Sequence, residues 1–272
     1  MSVLLVTGTG TEIGKTVVTA AVAALALARG RRVAVLKPAQ TGVLEGEAGD
    51  VDEVSRLVGL LLPGQVAPGR LTLAELARYP EPLAPATAAA RSGLPPVGPE
   101  QVAKEAARLA ADHDLVLVEG AGGLLVRYDE RGSTLADVPP ALRTLGLESR
   151  VLLVTTAGLG TLNTTALTAE ALRARGIPLL GLVIGAWPAE PDLAARCNLA
   201  DLPLVAGAPL LGALPTGFAR LGEAPLGEAP LGDAPANEGG AGRVSLLTTA
   251  RSGLAPALGG DWDGSVPCGV SR

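Results

Sequence analysis

The sequence predicts a doubly wound α/β fold, a mostly parallel sheet with helices on both faces. Three observations carry this expectation. Short apolar runs recur at residues 3–6, 33–36, 115–118, 151–155, 179–184 and 210–214, without the alternation of a half-wetted strand. Such runs suit strands buried on both faces. Helical patterns lie between them, at 16–28, 50–61, 100–111, 135–145, 164–175 and about 192–198. Composition agrees: 48% of residues are apolar but only 2% aromatic, so the core is built from Leu, Val, Ile and Ala. In folds of this kind ligands bind at the carboxyl ends of the strands.

The first run leads into Gly8-Thr9-Gly10-Thr11-Glu12-Ile13-Gly14-Lys15-Thr16, and an Ala-rich helical pattern follows. A glycine-bracketed turn between strand and helix, ending in Lys-Thr, cradles the phosphates of ATP or GTP. Unpaired amides at the helix start point outward, and the helix dipole favours an anion there. Lys15 can reach the β- and γ-phosphates, and the Thr16 hydroxyl can hold Mg²⁺. The common spacing asks for glycine at Thr9; here it stands at Gly8, so the loop is one residue longer.

The second run ends in Lys37-Pro38-Ala39-Gln40-Thr41-Gly42. Taken alone, a lysine at a strand end snorkels to solvent. Beside a phosphate loop it is a second cation near the γ-phosphate, which implies a second anionic group at the reacting centre. Pro38 and Gly42 shape a turn, from which Thr41 can donate to a substrate. Asp50, after Gly49, opens the next helical pattern; it either caps that helix or holds a metal, and Asp52 competes for both roles. Residues 63–99 are rich in Pro and Ala, with one helical piece near 73–77. They are expected to cover the active-site edge and to add no strand.

The run at 115–118 ends in Glu119-Gly120-Ala121-Gly122-Gly123. An acidic residue closing a buried strand takes the position that holds Mg²⁺ in phosphate-loop proteins, and the glycines allow close backbone approach to phosphate. Later, Gly158-Leu159-Gly160-Thr161-Leu162-Asn163 joins a strand to a helix. Its amides can bind a carboxylate, or it is a plain connection. His113 is expected to be exposed, and Trp187, Trp262, Tyr79 and Tyr128 are read as packing residues.

The 272 residues suit one large domain with an appendage. Residues 1–219 form the phosphate-loop domain. Residues 221–235, LGEAPLGEAPLGDAP, repeat a five-residue unit three times, so 220–242 is expected to be a flexible insertion. Residues 243–272 return to the same domain as a helix near 244–258 and a loose end. Net charge is −5, with no basic stripe to release counterions, which argues against wide nucleic-acid binding. Cys197 and Cys268 lack CxxC spacing and His113 is the only histidine, which argues against zinc, haem and disulfide frameworks. The chain opens on its first strand, and its longest apolar run, 17–28, is too short to cross a bilayer. A soluble, cytoplasmic protein with no membrane partner is expected.

GTGTEIGKT, KPAQTG, an Asp shortly after, VEGAGG and LGTLN, in this order, resemble the dethiobiotin synthetase family over residues 2–216. The resemblance implies a P-loop NTPase-like fold, a homodimer, and a ligase. It implies use of Mg-ATP and CO₂ (bicarbonate in solution) to convert 7,8-diaminononanoate into dethiobiotin in biotin biosynthesis. A substrate amine becomes a carbamate, a carbamate oxygen attacks the γ-phosphate, and the second amine closes the ureido ring and expels phosphate. By the same resemblance, Lys37 is the catalytic residue that holds carbamate and γ-phosphate in line. Thr16, Asp50 and Glu119 hold Mg²⁺. Glu12, Ile13, Gly14, Lys15, Thr16 and Val17, with Asp50, Glu119, Gly120, Ala121 and Gly122, bind the nucleotide. Gly185, Ala186, Pro215, Thr216 and Gly217 lie near the base. Thr11 and Thr41 contact the diamine or its carbamate, and Gly160, Thr161, Leu162 and Asn163 receive the distant carboxylate, from the partner subunit.

Two positions depart from the family pattern. Where many members carry an adenine-reading Asn the sequence has Gly185, which leaves base preference open, and Asn163-Thr164 stands where Asn-His is common. Two rival classes share the loop. Partitioning ATPases carry a lysine four residues before Gly14, where this chain has Gly10. Amidoligases of cobyrinate-synthase type attach a glutamine-hydrolysing domain, for which no suitable Cys and His neighbours exist here.

Overall fold

The computed structural model describes residues 2–220 and 246–264. Strands β1 (Ser2–Gly8), β2 (Val33–Lys37), β4 (Leu71–Glu75), β6 (Leu115–Gly123), β7 (Ser149–Thr155), β8 (Leu179–Trp187) and β9 (Leu210–Pro215) form one sheet in the order β4-β2-β6-β1-β7-β8-β9. Every pairing in it is parallel. Two short strands, β3 (Gln40–Thr41) and β5 (Arg78–Tyr79), pair with each other beyond its carboxyl edge. The helices are α1 (Lys15–Ala28), α2 (Asp50–Leu61), α3 (Pro85–Ser92), α4 (Pro99–Asp112), α5 (Val138–Thr144), α6 (Thr161–Ala174), α7 (Leu193–Ala206) and α8 (Leu246–Gly253).

Period-two alternation decides which helix covers which face. Leu4, Val6, Leu152 and Val154 are buried on the face carrying α1, α2 and α8. Val3, Leu5, Val116 and Val118 are buried under α4 and α5, and Leu153, Leu182 and Ile184 under α6 and α7. The small-residue core anticipated from composition is what lets α1, with Ala20, Ala21, Ala23 and Ala24 fully buried, lie close against the sheet.

The segment 63–99 corrects the sequence reading: it supplies an edge strand, a short outer strand and a helix. Leu71–Glu75 pairs with β2 from Val33↔Leu71 to Lys37↔Glu75. Leu-Ala-Glu-Leu-Ala reads as helix former, but the open edge of β2 offers a ladder of backbone bonds, and that tertiary pairing overrides propensity. Pro85 then opens α3 at its first turn.

Other boundaries shift as well. Strand β6 runs on through Glu119 to Gly123, and α7 reaches Ala206, with Pro203 in its last turn. Leu135–Asp137 is a 3₁₀ turn before α5. At the end of the described chain α8 stops at Gly253 and a 3₁₀ turn follows at Pro256–Leu258. Ala250, Leu254, Leu258 and Trp262 are buried in the same core as α1. The repeat 221–235 and the chain beyond 264 lie outside the described residues.

His113, expected exposed, is half-buried: its ring nitrogens bond the Leu109 carbonyl and the Thr72 hydroxyl, each at 2.8 Å, tying the end of α4 to β4. Among the described residues no helix is long and apolar enough to cross a membrane.

Candidate active site

Sheet order alone brings the site together. Strand β6 lies between β2 and β1, with Leu36 level with Val118 and Val6 level with Glu119. Lys37 and Glu119 therefore leave the sheet side by side, next to the loop that follows β1. This is the carboxyl edge, where the fold exposes its ligand sites.

The loop after β1 is tightly built. Glu12 is the one non-glycine residue with positive φ among the described residues, at 56°, and Gly14 follows at 92°. A left-handed glutamate stores local strain, which persists only where the surroundings fix it. They do so at β8: a Cβ on Gly185 would lie 2.0 Å from the Ile13 carbonyl oxygen, and one on Gly14 would lie 2.6 Å from the Gly185 carbonyl oxygen. The family's Asn cannot stand at 185 with this backbone. Gly14 opens α1 without a capping side chain, so the first amides of the helix remain available to an anion.

Around this loop Lys37, Glu119, Thr16 and Asp50 form one cluster, the first two buried and the others half-buried. Lys37, 3% exposed, donates to Glu119 Oε1 at 3.0 Å and to the Gly120 carbonyl at 3.3 Å, and pairs closely with Asp50. The Thr16 hydroxyl donates to the same Glu119 oxygen at 2.9 Å. Lys15 folds back on its own loop and donates to the Gly10 carbonyl at 2.8 Å. Burial pulls the Lys37 ammonium towards the neutral form, but Glu119 and Asp50 outweigh it and hold its pKa above the ordinary lysine value. At Lys15 the balance reverses: burial, then the charge on Lys37, lower its pKa and outweigh the same two carboxylates.

The structure separates the two aspartates that the sequence left level. Asp52 accepts from the Gly49 amide at 2.8 Å and so caps α2, with Arg78 3.8 Å away. Asp50 turns its carboxylate to Lys37, while its amide donates to Gln40 Oε1 at 2.8 Å. Gln40 thus aims Asp50, and Arg78 holds the neighbouring loop by donating to the Leu44 and Glu47 carbonyls. Sequence reasoning missed both. Gln40 was legible inside KPAQTG, whereas Arg78 gave no signal before β5 was placed.

The remaining anticipated residues are spread around the rim. Thr11 lies beside Gly122, its hydroxyl 3.5 Å from where a Cβ there would stand, and Thr41 is half-buried on β3. Gly185 abuts the loop, Ala186 after it is exposed, and Thr216 donates its amide to the Trp187 carbonyl at 2.7 Å, drawing Pro215–Gly217 alongside β8.

The 158–163 turn shares no hydrogen bond with the Lys37 cluster among the described residues. Its Thr161 hydroxyl is spent inside the fold, with Thr155 at 2.7 Å and the Thr156 carbonyl at 2.8 Å, and its amide donates to Gly158. Asn163 is exposed and free to meet a ligand from outside. A cavity of about 590 Å³ lies at the opposite, amino-terminal end of the sheet, lined by Val3, Leu115, Ser149 and Pro178, and contains none of these residues.

The oxygen set at the cluster fits a hard cation. Glu119 Oε2 is buried with no partner, and Thr16 and Asp50 add a hydroxyl and a carboxylate nearby. Mg²⁺ takes one or two carboxylates and completes its shell with substrate phosphates and water, so a set of two carboxylates and a hydroxyl fits it.

Comparison with known proteins agrees with this geometry. A family profile described as an AAA domain matches residues 2–217. The chain is 59% identical to the ATP-dependent dethiobiotin synthetase BioD of Streptomyces avermitilis, covering 97% of this chain and 96% of that one. It is 60% identical to the protein of the same name from Saccharopolyspora erythraea, covering 96% and 99%. Among solved structures, MinD of Aquifex aeolicus superposes with a TM-score of 0.50 at 16% identity over 79% of this chain and 82% of that one, which supports the P-loop NTPase-like fold alone. On its sequence identity over nearly the whole length, the chain belongs to the ATP-dependent dethiobiotin synthetase family.

Proposed function

We propose that this chain carboxylates 7,8-diaminononanoate with CO₂ or bicarbonate and closes the ureido ring of dethiobiotin at the expense of ATP. The observation that carries the reading is Lys37, a buried ammonium that touches both carboxylates and the Gly120 carbonyl and shares Glu119 with Thr16.

The chemistry follows from what these groups can do. Lysine at this site is a donor only, so Lys37 neutralises and orients and removes no proton. The nitrogen of one neutral substrate amine bonds to the carbon of CO₂, giving a carbamate and releasing one proton to solvent. Lys37 leaves its carboxylates to bridge a carbamate oxygen and the γ-phosphate, and Lys15 leaves Gly10 for the phosphates. The carbamate oxygen attacks phosphorus and ADP departs. The second amine then attacks the carbamate carbon, and phosphate leaves carrying the oxygen that attacked. Holding both reactants in line supplies most of the acceleration, because the amine is already a competent nucleophile.

Mg²⁺ would be held by Thr16, Asp50 and Glu119 and would supply charge neutralisation at the β- and γ-phosphates. Glu12 to Val17 and Glu119 to Gly122 wrap the nucleotide, and Gly185, Ala186 and Pro215–Gly217 surround its base. Thr11 and Thr41 face the carbamate end of the diamine. The carboxylate end reaches Gly160, Leu162 and Asn163 of a partner subunit in a homodimer, with Thr161 shaping that turn from within. A cytoplasmic location belongs to the same reading.

The test is direct. The protein is incubated with diaminononanoate, bicarbonate and each of ATP, CTP and GTP, and dethiobiotin is sought by mass. Product with ATP is expected; none with any nucleotide would overturn the reading in favour of a nucleotide-driven switch.

A further inference from the structure

Tyr128 packs as the sequence suggests, but its hydroxyl does something else. The residue is 4% exposed, in the core beneath the end of β6. The Ala121 amide donates to its oxygen at 2.9 Å. The other side of the same peptide unit, the Gly120 carbonyl, accepts from Lys37 at 3.3 Å. One peptide group is thus gripped at both ends, by the phenol on its N–H and by the reactive-site ammonium on its C=O.

Tyr128 is itself held firmly. Its amide donates to the Ser133 carbonyl at 2.8 Å, Arg127 bridges to Thr134, and the turn between is closed by the Ser133 amide on Asp129 at 2.9 Å. The 127–134 turn therefore acts as a bracket that presents the phenol from below. Burial pushes the phenol pKa up, and the buried oxygen accepts the Ala121 amide.

The peptide matters because Lys37 can only donate. A rotation of the Gly120–Ala121 peptide would turn an N–H towards an ammonium, and glycine at 120 places little intrinsic restraint on such a rotation. The bond to Tyr128 prevents it. When Lys37 gives up its carboxylates for phosphate and carbamate, the Gly120 carbonyl is the one neutral acceptor of its present set, and it fixes where the ammonium stands.

We propose that Tyr128 is a positioning residue for ring formation, acting through the Gly120–Ala121 peptide on Lys37. This rests on the function proposed above. The experiment is Tyr128→Phe, which keeps the ring and removes the oxygen. The expected result is a fall in kcat of about tenfold, the rate equivalent of one buried hydrogen bond. The KM for the diamine should stay within about twofold, a split that general loosening of the fold would not give.

The chain has two tyrosines, so 3-fluorotyrosine labelling gives an independent readout. Addition of Mg-ADP should shift the Tyr128 fluorine resonance and leave that of Tyr79, which donates to the Pro95 carbonyl at 2.8 Å, unmoved. A kcat within twofold of wild type, or a Tyr128 resonance indifferent to Mg-ADP, would overturn the inference. Absence of dethiobiotin with the unaltered chain would instead overturn the functional reading.

Discussion

Lys37 is stable in its buried place because two carboxylates face it, and those are the carboxylates proposed above to hold Mg²⁺. Lys37→Met should lower dethiobiotin formation by about 10²–10³, the usual cost of one oriented charge at a reacting centre. Removing the ammonium also leaves Glu119 and Asp50 uncompensated, so the same variant should bind Mn²⁺ more tightly than wild type when no nucleotide is present. Electron paramagnetic resonance of free Mn²⁺ measures this, and equal affinity would show that Lys37 does not compete for the metal ligands. Gly185→Ala tests the contact between loop and β8: its Cβ meets the Ile13 carbonyl at 2.0 Å. The backbone must shift by more than a side chain can absorb, so calorimetry should find Mg-ATP affinity reduced about tenfold or more. Lys15, Thr16, Lys37 and Glu119 were legible in the sequence because each follows a buried strand or opens its helix. Asp50 and Asp52 were not separable, since both lie in the first turn of α2 and only Gln40, reaching over from β3, decides which one turns inward.

At the scale of elements, six of the seven strands of the main sheet announce themselves as continuous apolar runs, because they are buried on both faces. The seventh, β4, is half-exposed along its whole length and carries helix formers, so nothing local distinguishes it from a helix; the open edge of β2 makes it a strand. The amino ends of β2 and β6 are joined differently, by Asp114, which accepts from the Arg32 amide at 2.7 Å. That bond, followed by the nearby arginines, lowers the Asp114 pKa below its ordinary value of 3.8. A depressed carboxylate stabilises the fold above its unfolded pKa and loses that contribution as pH falls through the folded one. Asp114→Ala should therefore melt earlier than wild type at pH 7, and the two melting temperatures should converge as the pH drops below 3.8. A constant difference down to pH 2 would assign the effect to packing.

For the molecule as a whole, the core around α1 joins residues from both sides of the segment 221–245. Deleting 221–235 should leave kcat within about twofold; a large loss would show that the repeat takes part in the site. The fold class was readable from the βα alternation, whereas the likeness to MinD, at 16% identity, shows how little that class says about chemistry. On the function proposed above, Lys37 beside the loop and the glycine at position 10 separate a carbamate-phosphorylating ligase from a switch. The proposed function takes the 158–163 turn from a second copy, so sedimentation should find a dimer; a monomer at working concentration would contradict that part of the proposal. The central claim, that a carbamate oxygen attacks the γ-phosphate at Lys37, is tested most directly by oxygen transfer. With ¹⁸O-labelled bicarbonate, diaminononanoate and ATP, each dethiobiotin formed should release one phosphate bearing a single ¹⁸O. Labelled dethiobiotin accompanied by unlabelled phosphate would contradict it.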